Sequence, residues 1–311
     1  MSAGFVEASP RQARPSTTVG YIGLGNIGEP MAVRILGAGF KMVVWNRTSS
    51  KSLALADKGA ETASSPADLA SRCEIVSLCL SDAKAVEEVV FGEEGLAARS
   101  GAMRILIDNS TIHPDRTRDF AERLRVATGA GWLDCPVSGG PVGAKAGTLA
   151  AMVGGDSGDV ELARPVIASY AGKITHMGSV GCGQVAKACN QVIGFGTMAA
   201  IAEALVLAGR SGVPVERLPE ALAGGFADSN VLREYARATA AGETTGIAAL
   251  VCALVESREG IAGDRYGRRF SLLLKDIEIA SDLGRSTNTD TPIAALVERL
   301  YREAGGDGSR P

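Results

Sequence analysis

Three clusters of residues have types and spacings suited to chemistry. Gly23-Leu24-Gly25-Asn26-Ile27-Gly28 fits G-x-G-x-x-G. Its first glycine permits a tight turn out of a strand. The second lets a pyrophosphate approach the backbone, and the third lets the next helix pack against that strand. The N–H groups opening the helix then face the phosphates. With 39 glycines in the chain, such a match alone is weak. Its context makes it a dinucleotide cradle rather than a structural turn: an apolar strand pattern at Val19–Gly23 precedes it and a helical one at Gly28–Leu36 follows. The next strand pattern, Lys41–Trp45, ends in Asn46-Arg47-Thr48. An acidic residue there would take the ribose 2′-hydroxyl of NAD. Arg47 can instead make charge-assisted hydrogen bonds to a 2′-phosphate, with Asn46 and Thr48 as neutral donors. The sequence therefore predicts NADP ahead of NAD, over a plain solvated arginine.

The third cluster is Lys187 and Asn190, three apart in a helical pattern and so on one face, with Gln191 beside them. Their neighbours Val185, Ala186, Ala188, Cys189, Val192 and Ile193 are apolar. Desolvation lowers a lysine pKa and suits it to acid/base work near neutrality. The alternative is a lysine whose head snorkels to the surface, and this segment alone leaves both open.

Hydride transfer to a carbonyl needs a proton donor beside the oxygen. The Tyr-x-x-x-Lys solution fails: the five tyrosines are followed four residues later by Gly25, Ile174, Thr239, Phe270 and Gly305. No ligands cluster for a metal. Cys73, Cys79, Cys135, Cys182, Cys189 and Cys252 show no C-x-x-C spacing and read as reduced core thiols. His113 and His176 read as structural. A lysine is left.

These residues need a frame. Strand patterns at Ile75–Cys79, Ile105–Asp108 and Trp132–Val137 alternate with helical ones, which predicts an α/β, doubly wound, Rossmann-like sheet. Leu149–Val153 and Lys173–His176 add strands at its edge. From Gln184 to Gly209 the chain reads as one long apolar helix, with a hinge near Gly181–Gly183. Helical patterns follow at Val215–Ala223, Val231–Ala240, Ile247–Glu256, Leu272–Leu283 and Thr291–Ala304. The predicted organisation is a disordered tail at 1–18, an NAD(P)-binding domain at 19–180, an interdomain helix at 181–209 and an all-helical substrate and oligomerisation domain at 210–311. A net charge of −3 over 311 residues argues against nucleic acid. Apolar runs are broken within about a dozen residues, short of the ~20 that span a bilayer. The tail lacks an apolar signal core. A cytoplasmic protein with no membrane partner is expected.

In order along the chain, these motifs resemble the β-hydroxyacid dehydrogenase family, whose type member is 3-hydroxyisobutyrate dehydrogenase. Gly23–Ala32 resembles its cofactor motif, with Ile27 where methionine is usual. Asp134-Cys135-Pro136-Val137-Ser138-Gly139-Gly140, with Gly143-Ala144 and Gly147-Thr148-Leu149, resembles its substrate motif, with Cys135 for the usual alanine. Gly183–Asn190 resembles its catalytic motif, and Lys275-Asp276 with Ala280 its late cofactor-side motif. The resemblance runs from about Val19 to Ala304.

It implies that Lys187 is the acid/base, that Asn190 orients the substrate, and that Ser138, Gly139 and Gly140 bind its carboxylate. Leu80, Ser81 and Thr111 would line the nicotinamide pocket, and Lys275 would close on the cofactor. A Ser-Gly-Gly turn suits that role, because it exposes N–H groups and a hydroxyl to an anion. The expected reaction moves a hydride between NADP(H) and a small 3-hydroxy acid or its semialdehyde. A non-catalytic NADP sensor and an imine reductase on the same scaffold are the alternatives; imine-reducing relatives lack the lysine.

One departure is length. The segment between Ser229 and Lys275 is longer than the family leads one to expect, with Ile247, Leu250, Val251, Leu254 and Val255 at helical spacing. That stripe suits a core or a subunit contact. With the long apolar helix it leads to the expectation of a homodimer or homotetramer.

Overall fold

The computed structural model describes residues 13, 16–98, 101–243, 246–260 and 267–305. Most of the tail expected at 1–18 lies outside the described residues. Ala13 is described, and its N–H donates to the Leu162 carbonyl at 3.0 Å. By packing, the chain divides into two compact units, Met1–Lys187 and Ala188–Pro311.

The first unit runs β1 (Thr18–Ile22), α1 (Gly28–Gly37), β2 (Lys41–Trp45), α2 (Ser49–Ala56), β3 (Glu61–Thr62), α3 (Pro66–Arg72), β4 (Ile75–Leu78), α4 (Ala83–Phe91), β5 (Ile105–Asp108), α5 (Pro114–Thr128) and β6 (Gly131–Asp134). Then come β7 (Val137–Ser138), α6 (Gly140–Ala146), β8 (Leu149–Gly154), α7 (Ser157–Ala168) and β9 (Ala171–Gly178). Among the described residues these strands form one sheet in the order β3-β2-β1-β4-β5-β6-β8-β7, with β9 on β8. Pairing is parallel from β3 to β6, while β8 runs antiparallel to β6 and β7.

Side chains alternate along each central strand, so the sheet has a core on both faces. Val19, Tyr21, Ile75, Ile105 and Ile107 join Met31, Ile35, Val160 and Ile167 on one face. Ile22, Val76, Leu78 and Leu106 join Leu69, Val86, Val90 and Phe120 on the other. The chain reverses its winding between β1 and β4, and the carboxyl ends of those two strands flank the crevice where such sheets bind ligands.

The strand expected over Trp132–Val137 is two. Pro136 has no N–H to give to a ladder, so pairing stops at Asp134 and resumes antiparallel at Val137. The helix expected at Val215–Ala223 is a 3₁₀ turn, Val215–Arg217, followed by α9 (Leu218–Leu222). Pro219 sits in the first turn of α9, where a missing N–H costs nothing.

The long helix, α8, spans Cys182–Arg210 and contributes to both units. The expectation that no stretch approaches membrane-spanning length is corrected here: among the described residues α8 is long and apolar enough to cross a membrane, by length and composition. Gly183, Gly194, Gly196 and Gly209 interrupt its apolar run in sequence but sit inside a continuous helix.

The second unit continues through α10 (Asn230–Ala240), α11 (Gly246–Arg258), α12 (Gly267–Ser286) and α13 (Pro292–Ala304). Phe195, Ala202 and Leu205 of α8 pack with Val251 and Leu254 of α11, Ile277 of α12, and Val297 and Tyr301 of α13. The additional apolar stripe is therefore core: Val251 and Leu254 are buried, and Ile247, Leu250 and Val255 pack against them.

Candidate active site

The glycine cradle is shaped by what a side chain would strike. Gly23 takes a left-handed φ of +94°, and a Cβ there would lie 2.2 Å from the Cys79 carbonyl oxygen. A Cβ on Gly28 would lie 2.0 Å from the Gly23 oxygen, so α1 can approach β1 only as glycine. Gly25 faces open space, with nothing within 4 Å of its Cβ position. No side chain caps α1, whereas Ser65, Asp82, His113 and Asp156 cap α3, α4, α5 and α7. An open glycine before an uncapped helix start is what a pyrophosphate requires, so these residues fit a dinucleotide.

A cavity of about 940 Å³ adjoins the cradle, lined by Gly23, Leu24, Gly25, Asn46, Arg47, Thr48, Leu80 and Ser81 among others. Three of the predicted cofactor segments thus meet. Asn46 is committed to backbone on both sides: its Oδ1 accepts from the Leu24 N–H at 3.0 Å, and its Nδ2 donates to the Thr48 carbonyl at 3.0 Å. Lys51, which the sequence did not single out, lines the same cavity and donates to the Leu24 carbonyl at 2.8 Å. Asn26, Ile27 and Thr111 do not line it; Ile27 packs against the core of the sheet.

Lys187 lies in the second turn of α8 and is 7% exposed. Its ammonium donates to the Val137 carbonyl at 3.0 Å. Val137 and Ser138 form β7, and the chain then passes through Gly139 (φ +129°) and Gly140 (φ +60°) into α6. Both angles belong to the left-handed region that glycine tolerates. The first unit thereby brings Lys187 beside the Ser138-Gly139-Gly140 turn.

Two buried residues that sequence reasoning passed over hold this arrangement. Asp134 ends β6; its Oδ1 accepts from the Gly181 N–H at 2.8 Å and its Oδ2 from the Gln184 N–H at 2.9 Å. Burial pushes its carboxyl up to about 6, against the backbone N–H groups of Gly181, Gln184 and Gly183 that hold it down. The Gln184 amide donates to the Ser110 carbonyl at 2.8 Å and accepts from the Ile112 N–H at 3.3 Å. Ser110 in turn accepts from the Leu80 N–H at 2.9 Å. The loop carrying Thr111 is thus tied to α8 and to the end of β4. Asp134 stood within the quoted substrate motif, yet nothing in sequence spacing shows what it touches.

In the second unit Asn190 donates to the Gln191 side chain at 3.0 Å, and Gln191 donates to Asp276 at 2.6 Å. Asp276 pairs with Lys275 at 3.0 Å. Asn190 and Lys275 are therefore linked through Gln191 and Asp276.

Both histidines have structural partners. His113 caps α5, accepting from the Asp115 N–H, and His176 donates to the Gly155 and Gly178 carbonyls. Burial pushes the Tyr21 and Tyr170 hydroxyls well above their ordinary value of 10.0. The thiols are less uniform than expected. Cys73 and Cys135 are buried, Cys79, Cys182 and Cys252 half-buried, and Cys189 is exposed.

Residues 18–178 match the family model described as the NAD binding domain of 6-phosphogluconate dehydrogenase. Residues 181–254 match that of the NAD-binding region of NADP-dependent 3-hydroxyisobutyrate dehydrogenase. A 3-hydroxyisobutyrate dehydrogenase of Pseudomonas aeruginosa is 35% identical over 92% of this chain and 91% of its own. An NAD-dependent L-serine dehydrogenase of the same organism is 31% identical over 91% of each. Among solved structures, 3-hydroxyisobutyrate dehydrogenase of Mycobacterium tuberculosis with L-serine is 28% identical and covers 94% of both chains, with a TM-score of 0.76. A cradle fitted to a dinucleotide, a buried lysine beside a Ser-Gly-Gly turn and these matches agree: the chain belongs to the β-hydroxyacid dehydrogenase family and is an NAD(P)-dependent oxidoreductase.

Proposed function

We propose that the protein interconverts a small 3-hydroxy acid and its semialdehyde, with Lys187 as general acid/base. The observation that carries this reading is the Lys187 ammonium 3.0 Å from the Val137 carbonyl, next to the Ser138-Gly139-Gly140 turn. A proton-transfer group and an anion nest lie side by side. The Ser138 hydroxyl and the Gly139 and Gly140 N–H groups hold the substrate carboxylate. Asn190, three residues on along α8, orients the hydroxyl. In oxidation the neutral amine form of Lys187 takes the hydroxyl proton at Nζ and becomes the ammonium; in reduction the ammonium returns that proton to the nascent alkoxide. A bound nicotinamide cofactor supplies the hydride acceptor or donor.

A bound cofactor would have its pyrophosphate held by the cradle at Gly23–Gly28, with Leu80, Ser81 and Thr111 toward the nicotinamide, and Lys275 would be the further cofactor-side residue. Arg47 and Lys51 favour NADP over NAD. A bare NADP sensor needs no buried lysine beside an anion nest, and imine reduction does not call for Lys187. We further propose a cytoplasmic homodimer or homotetramer that engages neither nucleic acid nor membrane, with α8 as a core and contact helix.

The test is a panel including 3-hydroxyisobutyrate, L-serine and aldehyde acids, read by nicotinamide absorbance in the parent and in Lys187→Met. At least one 3-hydroxy acid should turn over in the parent. Lys187→Met should lose about 10²–10⁴ in kcat, the range of general acid–base groups, and keep its NADPH affinity. Lys187→Arg should fail as well, since a guanidinium does not release its proton near neutrality. Near-normal turnover by Lys187→Met would overturn the assignment and direct attention to Lys275.

A further inference from the structure

We propose that Asp134 is a positioning residue for this reaction, fixing the first turn of α8 from the end of β6 and thereby the place of Lys187. The inference rests on the reading of Lys187 as the proton-transfer group. Three observations support it.

The first is connectivity. The N–H groups that open a helix are usually capped by a nearby Ser, Thr, Asn or Asp. Here the Ser179 hydroxyl contacts the Cys182 sulfur instead. The Gly181 and Gln184 N–H groups go to Asp134, 47 and 50 residues away. Three residues after Asp134, the Val137 carbonyl accepts from Lys187, three residues after Gln184. The same two segments are therefore joined twice, once by the carboxylate and once by the ammonium. One helical turn, about 5.4 Å, separates levels along an α-helix, so a shift at the first joint is carried to the second.

The second is space. A Cβ on Gly183 would lie 2.8 Å from Asp134 Oδ2 and 2.4 Å from the Met152 oxygen. A Cβ on Gly154 would lie 2.5 Å from Asp134 Oδ1. Two glycines, on β8 and α8, leave room for one carboxylate. The third is charge. Asp134 is fully buried, and a buried carboxylate costs far more than a neutral cap. An anion at the start of α8 offsets the positive end of the helix dipole, which disfavours an ammonium one turn further on.

The experiment is a double-mutant cycle on the full chain with a 3-hydroxy acid that turns over in the panel above, combining Asp134→Asn with Lys187→Met. Asparagine keeps the shape but turns an N–H₂ toward backbone N–H donors. A misplacement on the order of 1 Å costs about a hundredfold in rate, so Asp134→Asn should lower kcat by about ten- to a hundredfold. KM and NADPH affinity should stay within about twofold, the scatter of independent sites. In the Lys187→Met background the same change should lower the residual rate no further. Full kcat in Asp134→Asn alongside an inactive Lys187→Met would overturn this inference and leave the role of Lys187 intact. An equal further loss in the Lys187→Met background would also overturn it, showing that Asp134 acts elsewhere. Near-normal turnover by Lys187→Met overturns both readings. If Asp134→Asn does not fold, Gly183→Ala displaces the same turn while keeping the carboxylate, and must show the same pattern: a kcat loss that vanishes when Lys187 is absent.

Discussion

Arg47 and Lys51 line the same cavity on either side of the α2 start. Arg47 could be singled out in the sequence because it stands at a local position, the end of β2. Lys51 was not, because its role requires α2 to bring its ammonium back to the Leu24 carbonyl, 27 residues earlier. The same contrast separates Lys187 from Asp134. A lysine in an apolar helical pattern could be singled out, although its segment alone left its role open, while a carboxylate at a strand end shows what it touches only when Gly181 and Gln184 fold onto it. At this scale the expected outcome concerns cofactor choice. A charge-assisted hydrogen bond contributes roughly 1.5–3 kcal/mol, so Lys51→Ala should lower kcat/KM for NADP by about ten- to a hundredfold and leave NAD little changed. Arg47→Asp should reverse the preference, since a carboxylate would then face the 2′-phosphate. A higher kcat/KM for NAD than for NADP in the unmodified protein would refute this.

Elements were legible wherever their hydrophobic period ran unbroken. Lys41–Trp45 and Ile105–Asp108 are strands at the expected residues, and α8 extends the expected helix by two residues at its start and one at its end. Errors arose at prolines: Pro136 has no N–H to continue the ladder beyond β6, and Pro219 suits a fresh helix start, so each divides a pattern that side-chain type alone would continue. The junction of β6 with α8 carries a pH consequence. The folded carboxyl of Asp134 sits at about 6, above its ordinary 3.8. The native state thus holds this proton more tightly than the unfolded chain does. Stability from this group is full below about pH 3.8 and is lost as pH rises through about 6. The difference is on the order of 3 kcal/mol at neutral pH. Denaturant titrations from pH 4 to 7 should therefore show a component of stability that declines with rising pH in the parent and is absent in Asp134→Asn. Identical pH slopes for the two proteins would refute it.

For the whole molecule, the alternation of strand and helix patterns foresaw an α/β unit followed by helices, and the packing division is a separate matter. The sequence placed a hinge at Gly181–Gly183, whereas the packing division falls after Lys187, inside α8. Glycine suggested a break, but Gly183 is glycine because a Cβ would strike Asp134 and the Met152 oxygen. The apolar surface of α8 is the feature that bears on assembly. Ile193 is 70% exposed and Leu207 is 68% exposed, while the Ile247–Val255 stripe is used internally. A dimer or tetramer is therefore expected at micromolar concentration by light scattering, and Ile193→Glu with Leu207→Glu should shift it toward monomer. A monomeric parent would refute this. The shared helix also limits how the protein can be dissected. A fragment ending at Lys187 would strand the last carbonyls of a severed helix, and one beginning at Ala188 would strand its first N–H groups. The packing boundary is thus a poor place to cut the gene, and a separately expressed half would have to carry all of Cys182–Arg210.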